Sequence, residues 1–399
     1  MPIISFGEIN KYLAIPLIGG ISKCIVETIL YNNPAKINKH PFLIGINAGL
    51  SMCLAIIPFI YIKKRTNKTD EDFKIINRKL IYSYEYYKNY NEKEMRLQKI
   101  FLILLTSFME FLQKFLSYSF IHSVDNNIWI CNILFFSFFS YIILNTKLYL
   151  HQYLSCLVII IFGLGLNIMT LYDMTVPQIP QLFLSILIEL IYSLNLVVNK
   201  HTMEYKFCTP YEICFFEGLF IFIVNTLLLI ISTNVNISSK SKLTKVFKNE
   251  PYHGKIYFDN FFQFYEQINS HEVLIFFVSL FNRFNFNLFS LITIKYYTPS
   301  HVILLLIIGE SQFAFELEDD VDPIKLIFTI IIFVIIFFML LIFTEIIEIN
   351  LWGLEKNTKR YIKERAGLKE DMSVKDEDSN NFVRDTEYEM PSIEPKEDN

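Results

Sequence analysis

No cysteine in the sequence falls in a long loop, and no two stand at Cys-x-x-Cys spacing. All six (Cys24, Cys53, Cys131, Cys156, Cys208, Cys214) lie in or beside apolar runs, which excludes a disulfide framework. The seven histidines sit near the ends of those runs or in one long polar loop. They lack metal-ligand spacing, and no nucleophile–base arrangement accompanies them. Glycine is scarce, at 12 residues of 399. Gly19-Gly20 and Gly163-x-Gly165 fall inside apolar runs, where they suit close helix packing rather than phosphate cradling. These absences predict no enzyme chemistry, no metal and no cofactor. The formal net charge of -4 is uninformative because the charges sit in loops and in the tail; no nucleic-acid partner is expected.

What the chain does have is apolar length. It is 53% hydrophobic and 16% aromatic, with a mean hydropathy of +0.36. A soluble domain rarely reaches such values. The apolar residues fall in runs of about 18–25, enough to cross a hydrocarbon core of about 30 Å, and backbone in lipid must be helical or a closed barrel. The reading is an all-α membrane protein of about ten transmembrane helices, near 11–31, 41–62, 98–121, 127–145, 150–172, 179–199, 209–232, 271–295, 300–316 and 323–349. The first run is expected to be a retained helix rather than a cleaved signal peptide.

Between the second and third spans lies a basic linker, 63–97. In it Phe73, Ile76, Leu80, Tyr84 and Tyr87 recur at helical spacing. It reads as an amphipathic helix on the membrane surface or, equally, as a disordered basic loop. A second long connection, 233–270, ends in the aromatic cluster Tyr257-Phe258, Phe261-Phe262, Phe264-Tyr265, which suits a helix at the interface. The charged tail, 350–399, reads as disordered. Basic residues in the linker, Lys147, Lys200, Lys206, Lys295 and the tail place the N-terminus and tail on the cytosolic side. The 233–270 loop is then lumenal and carries a glycosylation triplet at Asn236.

The chain also repeats. From Gln113 to Ile168 an apolar helix ends in Tyr118-Ser119-Phe120, followed by a short polar turn, two further helices and Gly163-Leu164-Gly165. A similar unit returns about 175 residues later, with the turn Thr298-Pro299-Ser300-His301. Residues 1–172 and 173–349 are read as two repeats of five spans each. An odd number of crossings inverts the second copy, which is the architecture of alternating access.

Two stretches resemble a known family. Tyr118-Ser119-Phe120-Ile121-His122-Ser123-Val124, with Lys147 and Gly163 beyond it, resembles the third-to-fifth-helix signature of the drug/metabolite transporter superfamily. The closer likeness is to its nucleotide-sugar-transporter-like (EamA-type) solute carriers. Lys200-His201-Thr202-Met203-Glu204-Tyr205, Thr209-Pro210-Tyr211-Glu212 and Phe216-Glu217-Gly218 resemble its sixth-to-seventh-helix junction. Where characterised GDP-sugar carriers have Phe-Tyr-Asn-Asn and Gly-Ala-Leu-Asn-Lys, this chain reads Tyr211-Glu212-Ile213-Cys214-Phe215-Phe216 and Ile307-Ile308-Gly309-Glu310-Ser311-Gln312. The resemblance implies a secondary transporter of a small polar solute in an endomembrane (Golgi, endoplasmic reticulum or vacuole/lysosome). It leaves nucleotide sugar, amino acid or peptide, and vitamin open. The rival is a transporter-like membrane scaffold or receptor.

Charge inside a bilayer costs about 2.5–3.5 kcal/mol on insertion scales and so marks either a cavity or a helix–helix pair. The candidates for substrate binding are Lys23, Glu27, Glu110, Lys114, Glu189, Asn195, Glu217, Asn282, Arg283, Asn285, Asn287 and Glu310. Lys23–Glu27 and Glu110–Lys114 are each four residues apart and are read equally as self-satisfied pairs. Arg283 has only neutral residues, Ser279 and Asn287, at that spacing, which makes it the leading candidate for a substrate contact. Arg283 and Lys114 suit an anionic or zwitterionic substrate, and a glutamate suits a coupling proton. The expected partners are that substrate, the lipid bilayer and a coupling ion, with a homodimer left open.

Overall fold

The computed structural model describes residues 4–6, 14–32, 40–66, 92–120, 130–146, 148–172, 179–206, 208–237, 252–253, 255–310 and 323–349. The expected linker helix, the acidic turn at 316–320 and the tail lie outside these residues. Nearly all of the described backbone is helical. Helices α1 (Ala14–Asn32), α2 (Pro41–Cys53), α3 (Ile56–Thr66), α4 (Glu92–Phe120), α5 (Asn132–Leu144) and α6 (Leu150–Tyr172) come first. Then follow α7 (Ile179–Tyr205), α8 (Pro210–Asn234), a short α9 (Phe261–Gln267), α10 (Ser270–Tyr296), a 3₁₀ turn (Pro299–His301), α11 (Val302–Glu310) and α12 (Pro323–Phe343). Each of the expected apolar runs contains a helix, but the second is in two pieces, and the last ends at Phe343, with residues 347–349 in a strand instead. Among the described residues five are long and apolar enough to cross a membrane: Pro41–Tyr61, Leu97–Ser119, Leu182–Tyr205, Pro210–Asn234 and Ser270–Tyr296. Shorter apolar helices cover Pro16–Ile25, Asn132–Leu144, Leu150–Gly165, Pro299–Ile308 and Ile327–Phe343.

Local chemistry sets several helix ends. Thr209 caps α8 by accepting the Glu212 N–H at 3.1 Å, with Pro210 at the first helical position, where its missing N–H costs nothing. Asn269 does the same for α10 through the Glu272 N–H at 2.8 Å. Asn145 ends α5 in the left-handed region at φ 52°, a place asparagine tolerates well.

The second span, expected to be continuous, is broken between α2 and α3. Pro58 explains it: a proline has no N–H to offer the carbonyl four residues back and its ring crowds that carbonyl. Here that carbonyl belongs to Leu54, and it accepts from the Ile57 N–H at 3.1 Å instead.

Two small antiparallel pairings frame the bundle. Strand β1 (Ile4–Phe6) pairs with β4 (Ile347–Ile349) in the register Ile4↔Ile349. Strands β2 (Asn236–Ile237) and β3 (Ile256–Tyr257) pair across the long loop, and α9 carries its aromatic end. Because β1 touches β4, the chain enters and leaves the bundle on one side.

Packing joins distant parts of the chain. Helix α2 lies along α8; α1 lies against α10 and α11; α4 against α7 and α8; α5 against α7; α6 against α12; and α10 also meets α2 and α8. At the α2–α8 crossing the backbones nearly touch. A Cβ on Gly218 would sit 2.5 Å from Met52 Cβ and 2.7 Å from the Cys53 nitrogen, and one on Gly49 would sit 2.5 Å from the Phe222 nitrogen. Gly45 and Gly49, four apart on α2, form the small-residue face that permits this approach.

The exterior is apolar, unlike that of a soluble bundle. On α4 the outward residues are Leu97, Ile100, Phe101, Leu104, Leu105 and Phe108, while Thr106, Ser107 and Glu110 are buried. An apolar exterior, with polar groups buried within an apolar core, matches lipid outside and protein within.

Candidate functional site

Helix α4 sets Thr106, Glu110, Lys114 and Tyr118 at four-residue intervals, so they share one face. That face meets α7, α8 and α10 in a continuous polar row. Lys114 Nζ lies 2.6 Å from Glu110 Oε1, and Glu110 Oε2 accepts from Asn195 Nδ2 at 2.8 Å. One turn further along α7, Asn199 Nδ2 donates to Glu217 Oε1 at 2.9 Å, and the Thr106 hydroxyl, which donates to the Ile103 carbonyl at 3.1 Å, lies beside Glu217. At the other end, an Arg283 terminal nitrogen (Nη1) donates to the Tyr118 hydroxyl. Its Nε donates to Ser279 Oγ at 3.1 Å, and the guanidinium carbon lies 5.2 Å from the Tyr118 ring centroid. Ser279 Oγ in turn donates to Asn47 Oδ1 at 3.4 Å, while Asn47 Nδ2 donates to the Phe276 carbonyl at 2.9 Å.

The row is thus anchored by α2, α4, α7, α8 and α10, and its charges come in sequence. Glu217 and Glu110 are electrostatic neighbours, as are Lys114 and Arg283. Only the middle two form an ion pair. Among the described residues, Arg283 and Glu217 have neutral hydrogen-bond partners and no counter-ion. Both are buried, at 9% and 2% exposure, where an uncompensated charge is expensive.

The sequence candidates divide accordingly. Glu110, Lys114, Asn195, Glu217 and Arg283 come together in the row. Asn287 is buried on the Arg283 face of α10; Asn282 and Asn285 are half-buried, and Asn282 Nδ2 donates to the Val278 carbonyl of its own helix. Glu189 joins a separate cluster between α5 and α7. It accepts from Asn132 Nδ2 at 2.6 Å, and Ser193 Oγ donates to Asn132 Oδ1 at 2.6 Å. Lys23 lies 5.8 Å from the Phe286 ring centroid. The side chains of Glu27 and Glu310 lie outside the described residues, and with them the expected Lys23–Glu27 pair. The Glu110–Lys114 pair forms. Ser279, neutral in charge, is nonetheless Arg283's partner at four-residue spacing. Sequence reasoning missed Thr106, Tyr118, Ser279 and Asn47 as members. The four-residue ladder through Glu110 was the signal for Thr106 and Tyr118.

Each end of the bundle has its own polar set. Where α2 begins, His40 Nδ1 lies 2.6 Å from Asp259 Oδ1 and the Phe42 N–H donates to Asp259 Oδ2 at 2.9 Å, which clamps the long loop down. At the opposite end Lys99 pairs with Glu212 at 2.8 Å, Lys200 with Glu204 at 2.8 Å, and Lys206 donates to Gln98 at 2.7 Å. Burial pushes the nearby Cys208 thiol up to about 11. Among the described residues no three His, Cys, Asp or Glu side chains are grouped to hold a metal. No known protein-family model matches the chain, and no curated protein matches it.

Proposed function

We propose that the protein is a secondary transporter that moves a small polar organic solute across an endomembrane by alternating access between two inverted five-helix halves. The observation that carries the proposal is the position of the polar row. Its charges come from α4 in the first half and from α8 and α10 in the second, so they lie where the halves meet.

The packing partners support the two-half reading. Counting α2–α3 as one span and the 3₁₀ turn with α11 as another, α1, α2–α3, α4, α5 and α6 correspond in order to α7, α8, α10, α11 and α12. Exchanging the two sets turns α1–α10 into α7–α4, α1–α11 into α7–α5, and α4–α8 into α10–α2. It turns α2–α8, α6–α12 and the contact of α5 with the 3₁₀ turn into themselves. Every one of these pairs is in contact. The β1–β4 pairing adds a parity argument, because a chain that leaves on the side it entered has crossed an even number of times. Ten spans satisfy this, and five per half inverts the copies. The lysines at one end, Lys99, Lys200, Lys206 and Lys295, favour that end as cytosolic. A buried, partly uncompensated set of charges between two such halves is the expected form of a solute site.

The test is counterflow in liposomes containing the purified protein, preloaded in turn with nucleotide sugars, amino acids and short peptides. A transporter gives trans-stimulated uptake of at least one class, and Arg283→Ala abolishes it. Absence of flux across the panel with folded protein would sink the reading and favour a membrane scaffold.

A further inference from the structure

We propose that Arg283 and Tyr118 form the binding site for a single anionic group of the solute, a carboxylate or a phosphate monoester, and that Lys114 takes no part in holding it. This rests on the transporter reading for the word solute; the anion site itself is argued from the row alone.

Two cations occupy the row, and they differ in how they are neutralised. Lys114 has a carboxylate at 2.6 Å, and Asn195 fixes the second oxygen of that carboxylate. For a ligand anion to take Lys114, it must leave Glu110 buried without its cation, at the desolvation cost of an unpaired charge. Arg283 lacks a carboxylate partner among the described residues. Its hydrogen bonds go to two hydroxyls, Tyr118 and Ser279. A guanidinium has five N–H donors, and these bonds use two, so both hydrogens of Nη2 and one of Nη1 remain, on neighbouring nitrogens of one plane, for an acceptor. That planar pair matches the two oxygens of a carboxylate or phosphate. The Tyr118 ring lies over the guanidinium, limiting its freedom and holding the fork ready without neutralising it.

The other uncompensated group does not compete. Glu217 sits by Thr106, and Tyr118 is twelve residues further along α4, about 18 Å at 1.5 Å per residue. The excess of one positive charge at the Tyr118 end therefore calls for one negative charge. Two full anionic charges there would leave one of them unpaired in the bilayer interior, at the cost of a buried ion, so a phosphate monoester, whose second pKa is about 6, binds there as its monoanion.

The experiment is a thermal-unfolding measurement on the purified full chain in detergent, with sodium acetate, inorganic phosphate or methyl phosphate titrated against sodium chloride at equal ionic strength. An anion that binds the folded state raises its midpoint in proportion to the logarithm of its concentration. The expected result is a rise of several degrees, logarithmic in concentration, with acetate or with the phosphates, beyond chloride. Acetate alone marks a carboxylate site; phosphate and methyl phosphate alone mark a phosphate site. Arg283→Gln should remove the rise. Arg283→Lys, which keeps the charge that the folded bundle contains and loses the fork, should cut it to less than half. If Arg283→Gln yields no folded protein, the Arg283→Lys comparison decides. No anion-specific rise in the wild type, or an equal rise in Arg283→Lys, overturns the site. Anion binding without counterflow by any solute leaves the site standing and removes the transporter reading; counterflow without anion binding does the reverse.

Discussion

Helix α8 is held in two different ways on two of its faces. Toward α2 it is held by closeness: Gly218 fits against Met52 and Cys53, and Phe222 against Gly49, with no room for even a methyl group. Toward α4 and α7 it is held by polar groups, Glu217 taking a hydrogen bond from Asn199 with the Thr106 hydroxyl in reach, beside the Glu110–Lys114 pair. In lipid the hydrophobic effect supplies no preference for helix over hydrocarbon, so association depends on tight packing and on polar bonds. The glycine face gives a rigid, dry contact with one arrangement. The polar face holds groups that exchange partners at modest cost, a ligand or a proton for a side chain. One helix thus carries a tightly fixed contact on one face and exchangeable polar groups on another.

The largest effect should come from breaking the rigid face. Gly218→Leu places a branched side chain where a Cβ alone would meet backbone at 2.7 Å, and backbone at a helix crossing cannot yield as a flexible side chain can. The expected outcome is loss of the monodisperse peak in fluorescence-detected size exclusion. Gly165→Leu, on α6 with nothing within 4 Å of its Cβ position, should be tolerated. A normal Gly218→Leu peak would mean that α2 and α8 are free to separate.

The polar face should respond less, and in a way that a second substitution repairs. Glu110→Gln replaces a carboxylate that takes Lys114 on one oxygen and Asn195 on the other. A glutamine has one oxygen, so one of the two donors then faces an amide N–H₂, and Lys114 is left without a counter-ion. Removing one member of a buried pair costs about 3–5 kcal/mol. Replacing the pair with apolar groups of similar volume is often neutral, so Glu110→Gln/Lys114→Met should unfold at a higher temperature than Glu110→Gln alone. If the double variant is the worse of the two, Lys114 has a second role that the Glu110 pair does not explain.

How much of this was legible in the sequence depended on distance along the chain. The helices were, because apolar runs of spanning length leave little alternative. The Glu110–Lys114 pair was also legible, because helical geometry brings residues four apart together whatever else the chain does. Pro58 carried the break between α2 and α3, and Gly45 with Gly49 carried the close crossing. Both signals were local, yet both were hidden inside a run read as one uninterrupted span. The partners of Arg283, Glu189 and Glu217 on other helices could not be read at all. Tyr118 is 165 residues from Arg283, and Asn132 is 57 from Glu189, so nothing but the fold could choose them. For the same reason β1 and β4 gave no warning, since neither strand has a partner until the bundle brings the two ends of the chain together.

The smallest effect tests where on the polar face the stability resides. Thr106 has one hydroxyl proton, and two acceptors lie within its reach: the Ile103 carbonyl of its own helix at 3.1 Å and Glu217. It can donate to one of them at a time. Thr106→Val keeps the shape of the side chain and removes the hydroxyl. Glu217 retains its bond from Asn199, and the Ile103 carbonyl retains the N–H of the next helical turn. The loss should therefore be that of one neutral hydrogen bond, about 1 kcal/mol, seen as a small drop in the unfolding midpoint and well short of the Glu110→Gln drop. That ranking is the content of the comparison. If Thr106→Val instead costs as much as Glu110→Gln, the polar face is held at Glu217, and the ion pair in the middle of the row is secondary to the hydroxyl at its end.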